Sequence, residues 1–246
     1  MKTPRRPVSL LFLAIGTALF AASFSVIKKL MELGGEHLID GRNPISFCNV
    51  LFAGNLIAGL AFLVAFPRDC RPDKLTSIAP RHWGIIFVIA FLEGALAPML
   101  IFLALMDLSV ASVFLVQSIQ IPLVLFAGWI LHREVIPKLS LVGAFLSLLG
   151  IVLIVVLKSF YEQTASGIDY RVGWNEGKVA LGALSYVIAT QLRRSVSWDI
   201  PLGAYSVVRI FVGIIFFVII VLLMFGPEHF SDLWSPFLWK WMLLYG

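Results

Sequence analysis

Charge is scarce in this sequence: of 246 residues, 13% are Asp, Glu, Lys or Arg, while 60% are hydrophobic. Ordinary soluble domains carry about 25% charged residues, so the composition excludes a water-soluble globular fold and points to lipid as the main solvent. Cysteine is scarcer still. Cys48 lies in an apolar run and Cys70 in a polar connection, so the pair gives no reason to expect a disulfide. The four histidines flank apolar runs without metal-ligand spacing, and no metal is expected. A G-x-x-x-x-G-K-[ST] phosphate loop is missing, as is any polar stretch long enough for a nucleotide domain, which leaves ATP hydrolysis without a site. Catalytic groups are equally sparse. Away from their ends the seven full-length apolar runs hold only Glu93 and Arg209 as charged residues and no deep histidine, so neither an enzyme nor a cofactor is expected.

Apolar runs are what the sequence has in abundance. A 20-residue helix rising 1.5 Å per residue spans the roughly 30 Å hydrocarbon core. Seven runs approach or exceed that length, at residues 8–27, 44–66, 83–105, 108–131, 139–157, 177–192 and 202–225, and an eighth opens at 236–246. The sixth is the weakest. They are continuously apolar rather than alternating, which favours helices over a closed β-barrel. The expected fold class is an all-α integral membrane protein.

The net charge of +5 does not form a nucleic-acid-binding patch, because the basic residues sit in the short connections between runs. Counted by side, the N-terminal tail and the even-numbered connections carry eleven Lys/Arg against six opposite, which predicts a cytoplasmic N-terminus. Lys2, Arg5 and Arg6 before an apolar stretch also resemble a signal peptide, with small residues from Ala21 to Ser23 at a cleavage position. Against cleavage, the run is long for a signal sequence and its pattern returns later in the chain.

That return starts at Ala18-Leu19, closed by Lys28-Lys29, and again at Ala183-Leu184, closed by Arg193-Arg194, an offset of 165 residues. Pro44 precedes Pro201 by 157 and Trp83 precedes Trp241 by 158, a change that one shorter connection accounts for. A unit of five crossings is odd, so its second copy enters the membrane from the opposite face. Inverted repeats of this kind recur in transporters, where two similar bundles rock about a midplane site. The organisation expected is a five-helix unit at residues 8–157, a linker at 158–176 and the opening of a second unit at 177–246. The second copy stops soon after Trp241, so a fragment or truncated product of a ten-helix protein is expected; the alternative is a seven-helix protein with a hydrophobic tail.

The stretch Glu93-Gly94-Ala95-Leu96-Ala97-Pro98 through Ala104-Leu105, then Leu108-Ser109-Val110-Ala111-Ser112, Pro122, Leu131-His132-Arg133-Glu134, Gly143 and Gly150-Ile151-Val152-Leu153 resembles an EamA-type domain of the drug/metabolite transporter superfamily. The resemblance implies ten helices in two inverted halves, with both termini cytoplasmic and helices one to four of each half lining a central cavity. It implies a secondary carrier of a small metabolite or drug-like solute in a bacterial inner membrane. Glu134 matches the acidic residue that such domains place at the end of the fourth helix, and reads as a gate or helix-end charge or as an ordinary boundary pair with Arg133. The expected partners are a small-molecule substrate and the lipid bilayer; a homodimer stays open, and no nucleic acid is expected. Competing classes are a non-catalytic partner needing helices in trans, a seven-helix receptor and a membrane-embedded enzyme.

Polar residues within the runs are the candidate site. Glu93 is placed near the bilayer midplane, where a carboxylate must face protein or water, and reads as a proton-coupling group, a substrate contact or a packing carboxyl. Arg209 lies seven residues into its run; it either snorkels to the interface or turns inward to bind an anionic substrate or pair with Glu93. Gln117 and Gln120, three apart, share a helix face near Pro122 and could hydrogen-bond a substrate or another helix. Asn49, Asn55, Tyr186 and Gln191 are weaker candidates that read more readily as packing groups. Small residues at four-residue spacing, Ala14, Ala18 and Ala22 and then Gly54 and Ala58, are expected to let helices approach closely.

Overall fold

Without water to satisfy the backbone, each apolar run closes its own hydrogen bonds as a helix. The computed structural model of the chain describes residues 6–76, 78–165, 173–196 and 200–245. Its helices are α1 (Arg6–Glu36), α2 (Phe47–Ala65), the short α3 (Pro72–Thr76), α4 (Pro80–Phe91), α5 (Ala97–Asp107), α6 (Val110–Gln117), α7 (Gln120–His132), α8 (Lys138–Ala165), α9 (Trp174–Arg194), α10 (Leu202–Phe225) and α11 (Pro236–Tyr245). A π-helical turn, Leu92–Leu96, joins α4 to α5, and a 3-10 segment, Pro227–Trp234, precedes α11. Among the described residues, five stretches are long and apolar enough to cross a membrane: Leu10–Glu36, Phe47–Ala65, Pro80–Asp107, Val110–His132 and Leu202–Phe225. The chain is an all-α, multi-pass integral membrane protein.

Several sequence expectations change. The first helix does not stop near Ile27 but continues to Glu36, because Lys28 Nζ donates to the Leu108 carbonyl at 2.8 Å and Asn43 Nδ2 to that of Met31 at 2.8 Å, which ties the extension to its neighbours. Residues 158–165, expected in a linker, continue α8; residues 166–172 of that linker lie outside the described residues. The third and fourth crossings are each interrupted by proline chemistry. Pro98 lacks the N–H that the Gly94 carbonyl would accept, and just before it the Ala97 N–H reaches back five residues to Leu92. Pro122 likewise leaves the Ser118 carbonyl to a three-residue bond from Ile121 at 3.2 Å, and the chain turns at Ser118 and Ile119 between α6 and α7.

The sixth run is the exception in polarity: α9 has 21 residues, the length of a crossing, yet is not apolar enough to be counted as one. Its surroundings explain why. It packs against α4, the π turn, α5, α6 and α7, so Gly182, Ala183, Ser185 and Gln191 meet protein. A Cβ at Gly182 would lie 3.2 Å from the Ala97 carbonyl oxygen, which marks how closely α9 and α5 approach.

Interactions between connections define the two ends of the bundle. At one end Asp69 accepts from the Gly203 N–H at 3.2 Å and Glu134 meets Arg194. At the other Arg42 lies 3.6 Å from Asp232, and His37 stacks on Phe237. Helix α1 therefore ends where α9 begins, and the two run in opposite directions. Two apolar clusters fill the interior, one around Phe24, Val50, Phe102 and Phe217, the other around Ile86, Ile89, Val196 and Tyr205. Glu93 and Arg209 stand at the level between them.

Candidate functional site

Glu93 is the fourteenth residue of the 28-residue crossing Pro80–Asp107, at its midpoint. It lies in the π turn, whose wider helical repeat turns side chains away from the positions a regular helix gives them. Glu93 Oε1 lies 3.4 Å from Nη2 of Arg193 and 3.6 Å from Nη1 of Arg209. Arg209 does not snorkel; it turns inward from α10. Arg193 reaches the same carboxylate from the C-terminal end of α9, as expected for a side chain tilted back toward its helix N-terminus. The Glu93 side chain is 17% exposed and its Oε2 has no hydrogen-bond partner among the described residues.

These three charges border a cavity of about 770 Å³. Apolar walls come from Phe20, Phe24 and Ile27 of α1, Leu51 of α2 and Ile101 and Phe102 of α5. Polar groups come from Asn55, Gln117, Gln120, Tyr186 and Thr190. Gln117 and Gln120 both line it although the turn between α6 and α7 separates them, and the buried Gln117 Oε1 has no hydrogen-bond partner among the described residues. Asn55 Nδ2 donates back to the Leu51 carbonyl at 2.8 Å.

Two candidates lie elsewhere. Asn49 is fully buried outside the cavity, its Nδ2 donating to the Pro44 carbonyl at 3.0 Å, where it fastens the start of α2. Gln191 Nε2 donates to the Val124 carbonyl at 3.1 Å and holds α9 against α7. The small residues also have a different use. Ala14 and Ala18 are exposed, and Ala22, Gly54 and Ala58 line the cavity, which their short side chains leave open. Close helix approach falls instead to Gly94 and Gly213, where a Cβ on Gly94 would sit 2.9 Å from the Gly213 Cα.

Sequence reasoning missed Arg193, reading it as half of a dibasic flank. The flank divides: Arg193 turns inward to Glu93, while Arg194 Nη1 meets Glu134 Oε2 at 2.5 Å at the bundle edge. Tyr186, Thr190 and Arg193 stand at positions i, i+4 and i+7, one face of α9, and that spacing was the available signal. Tyr205 was also missed. It is one turn before Arg209 on α10, buried, with a hydroxyl that has no hydrogen-bond partner among the described residues.

Residues 8–156 match the EamA-like transporter family. The chain belongs to that family. It is also similar to an uncharacterized transporter of Synechocystis sp., 36% identical over 237 residues that cover 96% of this chain and 67% of the relative. This EamA-like chain is therefore a membrane protein of a transporter family, and the cavity between α1, α2, α5, α6, α7, α9 and α10 is its candidate solute site.

Proposed function

We propose that the protein is a secondary carrier that moves a small solute by alternating access, with the 770 Å³ cavity as its binding site. The observation that carries this reading is the cavity's boundary. Residues of the first proposed unit (8–157) supply most of the wall, and α9 and α10 of the second supply Tyr186, Thr190, Arg193 and Arg209. A solute bound there touches both units, so rocking one against the other changes which side it faces.

The packing supports two inverted units. Under the repeat, α2 corresponds to α10, and these two pack against each other as a pair lying beside a two-fold axis would. The third crossing corresponds to α11, and its contact with α10 has a counterpart in the contact of α11 with α2. Glu93, whose carboxylate bridges the first unit to α9 and α10 of the second, is the residue through which loading couples to that motion.

Alternating access is checked by labelling single cysteines at Ala22 and Thr190, introduced after replacing Cys48 and Cys70, in proteoliposomes with a membrane-impermeant thiosulfonate. Each position should react from both sides of the membrane, in proportions that shift when a transported solute is present. Reaction from one side only, unmoved by any solute that crosses, would sink the carrier reading.

A further inference from the structure

The carrier site holds one carboxylate against two guanidiniums. Among the described residues lining the cavity, Glu93, Arg193 and Arg209 are its charged groups, so the site carries a net charge of +1, partly screened because the Arg193 side chain is 43% exposed. Unbalanced charge at the depth of Glu93 is costly, and the usual remedy is a partner of opposite sign. Among the described residues the helices lining the cavity supply none. From α9 the facing groups are Arg193 and the hydroxyls of Tyr186 and Thr190; from α10 they are Arg209 and Tyr205; α5 and α6 contribute Gln117 but no carboxylate.

The geometry shows spare donor capacity as well as spare charge. Both arginines approach the same oxygen of Glu93, at 3.4 and 3.6 Å, longer than the 2.7–2.9 Å typical of charge-assisted hydrogen bonds. Each guanidinium carries five N–H donors arranged to grip a carboxylate through two of them. Arg193 Nε is buried with no hydrogen-bond partner among the described residues. Beyond the arginines the walls turn apolar, with Phe20, Phe24, Ile27 and Phe102.

Resting on the reading of this cavity as the carrier's binding site, we infer that the transported solute is a monoanionic organic acid. Its carboxylate lies between Arg193 and Arg209, and its apolar body lies against the phenylalanines of α1 and α5. Binding brings the cluster to neutrality, two carboxylates shared by two guanidiniums. The free Gln117 Oε1 accepts from a hydroxyl or amide on the body.

The test uses the purified full chain in detergent near neutral pH, with five probes that share one ring: phenylacetate, its neutral isostere phenylacetamide, the cation benzylammonium, the zwitterion phenylglycine and the dianion phenylmalonate. Binding is read by calorimetric titration and by the shift in melting temperature. Phenylacetate should bind most tightly, and Arg209→Gln or Arg193→Gln should each weaken it about thirtyfold, the scale of losing hydrogen bonds to a charged group, while phenylacetamide binding changes little. Glu93→Gln raises the site to +2 and should turn the preference toward phenylmalonate, a gain that a merely structural glutamate would not give. If Glu93→Gln does not fold, the arginine variants decide. The inference is overturned if phenylacetamide, benzylammonium or phenylglycine binds as well as phenylacetate, if no probe binds, or if phenylacetate binding survives both arginine variants. Flux of the same probes in proteoliposomes separates the two claims. Flux of a neutral or cationic probe without phenylacetate flux ends the anion assignment and keeps the carrier. Arginine-dependent phenylacetate binding without flux of any probe keeps the anion site and ends the carrier.

Discussion

At the residue scale, the cluster of Glu93 with Arg193 and Arg209 makes an asymmetric prediction about stability. Replacing Glu93 by Gln leaves two guanidiniums, 43% and 22% exposed, facing a neutral amide, which should cost about 1–3 kcal/mol, less than the roughly 3–5 kcal/mol of breaking a fully buried ion pair because the site is open to some water. Replacing Arg209 by Gln leaves Glu93 paired with Arg193 and a neutral cluster, so it should cost less. Arg194→Gln removes a pair whose side chains are 32% and 50% exposed, a class worth about 0–1 kcal/mol. Melting temperatures in detergent should therefore fall most for Glu93→Gln and least for Arg194→Gln; the reverse order would show that Glu93 is not the group holding the arginines. A second prediction concerns Cys70, in the connection after α2. Burial, and then the negative charge of Asp69, push its thiol above the usual range, so less of it is thiolate at a given pH. Its alkylation should speed up as pH rises through that elevated value, and Asp69→Asn, which keeps an oxygen for the Gly203 N–H, should make it faster at pH near 8 by raising the thiolate fraction. Alkylation rates that ignore Asp69→Asn would mean that the charge has no hold on the thiol. How much of the site could be read from sequence follows from the same physics. Glu93 and Arg209 stood out because a charge inside an apolar run is expensive, whereas Arg193 sat at a helix end where arginines are ordinary, and only its reach back into the bundle gives it a different place.

At the element scale, the apolar runs located most helices because backbone satisfaction in lipid leaves the chain few alternatives. Their interruptions were harder to read. A π turn adds no polar residue and leaves hydropathy unchanged, so the Glu93 segment looks like unbroken helix until Pro98 is asked where the Gly94 carbonyl finds a donor. Close approach was also assigned to the wrong residues, since small side chains serve two ends: they let backbones meet, as at Gly94 and Gly213, or leave space, as at Gly54 and Ala58. The two uses separate under substitution. Alanine at Gly94 or Gly213 puts a Cβ within about 3 Å of facing backbone, which cannot retreat as a flexible side chain can, so each should destabilise by about 1–3 kcal/mol. Gly84→Ala and Gly143→Ala meet nothing within 4 Å and should leave the melting temperature unchanged or slightly raised. Equal melting of all four variants would show that α10 does not rest on the π turn as closely as drawn, and that Arg209 is brought to Glu93 by something else.

At the scale of the whole molecule, the distribution of charge between the two ends decides how the bundle sits in a membrane. The end defined by Asp69, Glu134 and Gly203 gathers Arg68, Arg71, Lys74, Arg81, Arg133 and Lys138, while the end defined by Arg42 and Asp232 gathers Glu32, Glu36, Asp40 and Glu228. The first is thus the basic end, and cytoplasmic connections are the ones enriched in Lys and Arg. Helix α1 runs away from it and α9 runs toward it, so a cytoplasmic N-terminus requires Gly173, at the start of α9, to emerge on the far side. Cys70 supplies a native reporter for the basic end. In intact cells a membrane-impermeant maleimide should leave Cys70 unlabelled and react with a cysteine placed at Gly173 or at Ser235; in inside-out vesicles the pattern should reverse. Labelling of Cys70 and of position 173 from the same side would contradict the opposed directions of α1 and α9, and with them the inverted units. Labelling of Cys70 from outside and of position 173 from inside would keep the inversion and turn the whole bundle over, a result that leaves the cavity between the two units unchanged and reverses only the side from which each state is reached.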